Sequence, residues 1–211
     1  MNVLKHLCWL VILSTFLSAC RSANRYDYGF AEGGIGGNGW PIWVENLVIN
    51  NAWGVPVGSL SGQTERDNRP PLGKTASLGL IPLPHTIQTR WFSYRNQTFY
   101  EVTIELSEAK QTQIKQWFQQ YPTKKYTHKL ITGYAGQGEI QFWWNASCIH
   151  AGCPEDHLER HYFELTSRTK ATVVEGNASI HNAGTRQEVE MGFLPPEVLD
   201  LLPPEEDEEN Q

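Results

Sequence analysis

Five side chains able to bind a metal or form a covalent bridge crowd one stretch of the chain: Cys148, His150, Cys153, His157 and His161. Two thiolates and two imidazoles make the four-donor sulfur and nitrogen set that zinc takes. In an oxidising compartment the same cysteines form a disulfide, Cys148–Cys153. The leader described below favours the disulfide, and the metal set stands as the alternative. The bridge would close a short loop, worth only about 2 kcal/mol in the chain-entropy account. His157 and His161 are four apart, but Glu159 lies between them rather than directly after the first histidine. This is therefore not the H-E-x-x-H zinc helix.

Other reactive patterns are incomplete. Gly58-Ser59-Leu60-Ser61-Gly62 carries leucine where a nucleophile elbow needs serine. Glu101 and Glu105 alternate on one strand face, where a solvated face explains them better than paired acid–base work. His85 and His128 stand isolated in sequence. Gly34, Gly36 and Gly39 spell G-x-G-x-x-G, but Trp40-Pro41 follows instead of a helix, so the nucleotide reading fails. No catalytic residue and no cofactor are expected.

One further cysteine has a chemistry of its own. Lys5 and His6 open a short basic segment, and Leu7 to Leu17 is an almost unbroken apolar run. That run is too short for a spanning helix, which needs about 20 residues, and suits a secretory signal. Its exit, Leu17-Ser18-Ala19-Cys20, resembles the lipobox of bacterial lipoproteins. The resemblance implies cleavage before Cys20 and acylation of that cysteine with fatty acids such as palmitate. One chain alone holds marginally and two or three hold durably, at about 0.8 kcal/mol per buried methylene. An ordinary cleaved signal followed by a chance cysteine is the alternative. By the same resemblance, Arg21, in place of the aspartate that marks inner-membrane retention, points to an outer-membrane lipoprotein facing the periplasm. In that setting the glycosylation-type sequons at Asn96, Asn145 and Asn177 are idle.

Removing residues 1–19 leaves one domain's length. The formal net charge is −6, and Asp200, Glu205, Glu206, Asp207, Glu208 and Glu209 account for that many negatives near the C-terminus. The body is close to neutral, which argues against nucleic acid as a partner. Eight tryptophans and eight tyrosines suit strands and a packed β core.

The pattern predicts a mainly β fold, an antiparallel β-sandwich-like domain with one covering helix at about 107–121. Ile42 to Ile49 reads as a strand, and Trp53, Val55 and Val57 as an edge interrupted by Pro56. Residues 58–84 read as mostly irregular, either a functional loop or a mobile insertion. Ile87, Thr89 and Trp91 alternate, Arg95-Asn96-Gln97 turns, and Tyr100 to Leu106 alternate again, a hairpin with one apolar face. Ser107 can cap a helix whose Ile114, Trp117, Phe118 and Tyr121 form one stripe. Lys129 to Tyr134 and Glu139 to Trp144 make a second hairpin, and Arg160 to Thr166 with Ala171 to Val174 a third strand pair. Residues 20–39, with the glycine-rich run at 33–39, read as a flexible lipidated tether, reaching about 25 Å on average. The folded domain then spans 40–194, followed by a Pro-rich acidic tail at 195–211, whose end reads as unstructured. That tail serves solubility or meets a basic partner.

Five segments together carry a family resemblance: Trp40 to Trp43, Trp53 to Gly58, Pro84 to Ser93, Phe99 to Glu101 and Gly136 to Trp143. They resemble the bacterial lipoprotein family of domain of unknown function 2931, over roughly residues 40–145. The family has no established activity, so the resemblance supplies no catalytic residues. Some lipoproteins of this kind accompany toxic phospholipase effectors of type VI secretion. By that analogy the expected role is a binding protein, an immunity protein that blocks such an effector. An envelope enzyme or small-ligand-binding lipoprotein is the alternative. The membrane, reached through lipid on Cys20, is the other expected partner.

Overall fold

The computed structural model describes residues 25–61, 70–71, 73–149 and 160–204. Two sheets pack face to face. The first is built from β1 (Arg25–Gly34), β5 (Thr75–Pro82), β8 (Tyr126–Ala135), β9 (Glu139–Cys148), β10 (Arg160–Glu164) and β11 (Thr169–Lys170). Its order is β10-β9-β8-β1-β5, with β11 added on β9. The second comprises β2 (Ile42–Ile49), β3 (Trp53–Gly54), β4 (Ser59–Leu60), β6 (Thr86–Ser93), β7 (Thr98–Glu105) and β12 (Thr172–Val174), in the order β12-β7-β6-β2-β3 with β4 on β2.

The mainly β prediction holds, but only one sheet is wholly antiparallel. β1 runs parallel to β8, Gly29 opposite Lys129 through Gly34 opposite Tyr134, so the first sheet is mixed. The residues expected to be a tether supply this strand. β1 lies between β8 and β5, and its Tyr28, Phe30, Ala31 and Glu32 are buried. The folded body thus takes in Arg25–Gly34, ahead of Trp40, while residues 20–24 of the expected tether lie outside the described residues.

The glycines of β1 serve close approach rather than flexibility. A Cβ on Gly33 would stand 2.5 Å from the Pro71 ring, and one on Gly29 would stand 2.8 Å from the Ala76 carbonyl oxygen. Composition alone does not separate this use of glycine from a loose linker.

Alternation sets what lies between the sheets. Ile42, Val44, Ile87, Trp91, Tyr100, Leu130, Tyr134, Ile140, Phe142 and Trp144 meet in one core. The predicted helix is α1 (Glu108–Gln120), and the Ser107 hydroxyl accepts from the Lys110 N–H as its cap. Ile114 and Trp117 are buried, Trp117 stacks on Phe163 at 4.2 Å, and Phe118 stacks on His128 at 3.9 Å. The helix therefore lies against the mixed sheet.

Three further expectations are corrected. Residues 58–84 contain the eight-residue β5, which pairs with the unforeseen β1. The third strand pair does not exist: β10 pairs with β9 and β12 with β7, in different sheets. The Pro-rich end is part of the fold. A 3-10 turn (Ala178–His181), α2 (Asn182–Glu190) and a 3-10 turn (Pro196–Leu201) cover the outer face of the second sheet. There Leu194 and Val198 pack with Phe92, Tyr94 and Phe99. Residues 205–211, with most of the acidic run, lie outside the described residues.

Candidate functional site

The predicted cysteine and histidine cluster is only partly in view. His150, Cys153 and His157 lie outside the described residues, as does Cys20. Cys148 is buried at the end of β9 and is disulfide-bonded. His161 lies on β10 opposite Ala146, its ring 4.4 Å from Tyr121 in a row of aromatic side chains. Its carbonyl accepts from the Asn145 amide at 3.0 Å. Among the described residues, no three His, Cys, Asp or Glu side chains gather closely enough to hold a metal.

His128 is not isolated. Its Nε2–H donates to the Tyr121 carbonyl at 2.6 Å, and its Nδ1 accepts from the Trp144 indole at 3.0 Å. One neutral tautomer satisfies both partners, and burial lowers the pKa. A depressed histidine pKa means stability that is present above the unfolded value, about 6.5, and lost as pH falls through the folded value. We expect the His128 ring signal, followed by NMR, to stay neutral below pH 6.5. A midpoint at or above that value would contradict the buried pairing.

The outer face of the second sheet brings together groups far apart in sequence. β2 is bulged between Val44 and Asn46, so Glu45 is an extra residue in the strand. Its carboxylate lies 2.6 Å from Arg90 Nε and 3.9 Å from His181 Nε2. The Arg90 contact is an ion pair without hydrogen-bond alignment. Arg90 is also held from two other sides: its Nη2 donates to the Glu175 carbonyl at 2.9 Å, and the guanidinium lies 4.9 Å from the Phe99 ring centre.

His181 stacks on Phe92 at 4.2 Å with the rings 13° from parallel. Burial lowers its pKa, while the neighbouring Glu45 carboxylate pulls it back up. Trp43 stands beside this trio, 6.4 Å from His181, with 40% of its surface exposed. Ile180, next in chain to His181, is 66% exposed.

The β6–β7 turn braces the patch. Gln97, at φ 51°, donates to the Tyr94 carbonyl and to Thr185 Oγ1, and Thr185 donates in turn to the His181 carbonyl. Sequence reasoning found this turn but missed the patch, because residues 43–45, 90 and 180–181 meet only after β2, β6 and the C-terminal turn have assembled. The outward alternation of Trp43 and Glu45 was the only local sign.

A second polar group lies between the two sheets. Glu32 is fully buried, and neither carboxylate oxygen has a hydrogen-bond partner; Thr132 Oγ1, on the residue paired with it across β1 and β8, has none either. Burial raises the Glu32 pKa to about 7, against a downward pull from Lys74 and the Gly58 amide. The Gly58 amide acts here without hydrogen-bond geometry. Tyr134 OH, raised by the same burial, is shared with Thr89 Oγ1 at 3.0 Å.

Two open grooves lie elsewhere. One of about 370 Å³ is lined by Asp27, Gly29, Thr127 and Lys129 among others, and one of about 630 Å³ by Gly36, Gln137, Glu139 and Arg168 among others. Neither includes Glu45, Arg90, His181 or Glu32.

Residues 28–192 match the family model described as protein of unknown function, DUF2931. The chain belongs to the DUF2931 family. The match starts inside β1 and ends just after α2, so the DUF2931 unit includes the strand that composition alone assigned to a tether. Neither the curated proteins nor the solved structures contain a match to this DUF2931 chain.

Proposed function

We propose that this protein is a lipid-anchored outer-membrane lipoprotein, acylated on Cys20 and facing the periplasm. Its β-domain binds a protein partner through the outer face of the second sheet. The observation that carries the binding reading is Trp43, exposed on a rigid strand beside Ile180 and the Glu45–Arg90–His181 trio. Tryptophan and arginine set among packed neighbours are the residue types that dominate binding energy at protein interfaces. Met191, Phe193 and Leu201 add exposed apolar surface to the C-terminal segments that cover the same sheet.

The partner in this reading is a phospholipase effector delivered by type VI secretion, and the protein is its immunity factor. The anchor keeps the protein where the effector arrives. Deleting the gene should sensitise a strain to a phospholipase effector encoded beside it. Complementation with Trp43→Ala or Ile180→Ser should restore membrane-bound protein but not survival. Unchanged survival of the deletion strain sinks the immunity role, and full rescue by both variants moves the contact away from this patch.

The 370 Å³ groove supports the second reading, a small-ligand-binding lipoprotein. Its lining includes Asp27 and Lys129, charges of both signs. An envelope enzyme would need its reacting groups gathered at such a groove.

A further inference from the structure

The anchor and the first strand are separated by four residues, 21–24. Five Cα steps at full extension span about 18 Å, and any less extended path is shorter. Which end of the sandwich lies near the membrane is therefore set by where Arg25 is. We propose that the pole of the sandwich holding Arg25 seats on the bilayer, with the lipid headgroup layer as its occupant. The proposal rests on the acylation of Cys20.

Strand register identifies this pole. Arg25 pairs with Pro82 on β5, and β8 runs parallel to β1, which brings Tyr126 to the same end, opposite Cys148 on β9. The Arg25 guanidinium also lies 6.0 Å from the Trp53 ring, so the Ile49–Trp53 end of the second sheet joins it. The surface there suits a headgroup layer. Leu80, two residues from Pro82, is 63% exposed, and Ile149 is 49% exposed. Lys124 and Lys125 are exposed in the turn before β8. Apolar side chains, an interfacial tryptophan and basic residues are what membrane surfaces hold. Asp27 and Glu105 lie at this end too, so net charge does not decide the matter. The short spacer and the exposed leucine and isoleucine do.

The same register sends the binding patch to the opposite pole. Trp43 pairs with Phe92, and Phe92 with Phe99, one step from the strand ends at Ile42, Ser93 and Thr98. A domain seated on Arg25, Trp53 and Leu80 therefore holds Trp43 outward, toward an arriving partner.

The test uses the full chain, processed in cells supplied with an alkyne-bearing palmitate and placed in vesicles of phosphatidylethanolamine and phosphatidylglycerol. Nitroxide labels at Leu80→Cys, or at Lys124→Cys should the first variant misfold, report access of a water-soluble nickel chelate; Phe193→Cys is the far-pole control. We expect several-fold less access at Leu80 or Lys124 than at Phe193. Inserting a Gly-Ser linker of about 20 residues after Ser22, spanning about 25 Å on average, should abolish that difference. Equal access at both poles of the alkyne-labelled protein overturns the orientation. Failure of the alkyne to label the native chain, with Cys20→Ser as reference, overturns the acylation itself and the orientation with it.

Discussion

Replacing Glu32 by glutamine should remove a loss of stability that the native protein undergoes between about pH 4.5 and pH 8. The carboxyl is sealed between the sheets without a hydrogen bond to either oxygen, and burial raises its pKa to about 7 from the ordinary 4.5. The fold thus prefers the protonated form. For a raised carboxyl pKa, that preference stabilises fully below the unfolded value and is lost as pH rises through the folded value. The difference corresponds to about 3 kcal/mol lost by pH 8. Urea midpoints at pH 5 and pH 8 should therefore fall steeply for the native chain and stay nearly level for Glu32→Gln. Glu32→Leu, which also removes the unpaired oxygens, should be the more stable of the two at pH 8. Parallel curves for native protein and Glu32→Gln would assign the titration elsewhere.

Alanine at Gly33 and at Gly73 should each destabilise the domain by about 1–3 kcal/mol, the range for overpacking a tight site. The Gly33 Cβ would meet the Pro71 ring at 2.5 Å, and a proline ring has no rotamer to escape into. The Gly73 Cβ would run into the Glu32 carbonyl oxygen, a backbone atom fixed in β1. A free glycine-rich leash predicts the opposite sign at Gly33, because alanine reduces the entropy of the unfolded chain and stabilises by about 0.4–1 kcal/mol where the native backbone tolerates it. Thermal unfolding of the two variants separates these outcomes. A neutral or raised melting temperature for Gly33→Ala would mean that the Pro71 segment does not press on β1.

The two ends of the sandwich divide the work in this reading. Arg25, Trp53 and Leu80 gather at the pole nearest the anchor cysteine, and Trp43 with its ion-paired neighbours stands at the other. A spacer of four residues gives this division its meaning. On a long leash the domain would tumble and both poles would be presented equally.

By itself, the sequence determined the parts of this protein whose physics is local. Alternation in 87–91 and 100–106 produced β6, the Arg95–Gln97 turn and β7, because side chains two apart share a face wherever the strand later packs. The same logic produced β8 and β9, and the Ser107 cap with an i, i+3, i+4, i+7 stripe produced α1 to within a residue at each end. Tertiary structure alone decided the rest. Local alternation marks only the start of β1, at Tyr26, Tyr28 and Phe30; its partners β5 and β8 come some fifty and a hundred residues later, and its glycines read as looseness until Pro71 and Ala76 press against them. The parallel pairing, the split of β10 from β12 and the packing of the C-terminal turns are equally non-local. So is the patch, because Glu45, Arg90 and His181 have no relation in sequence and acquire one only through the bulge in β2 and the fold of the C-terminal turns over Phe92.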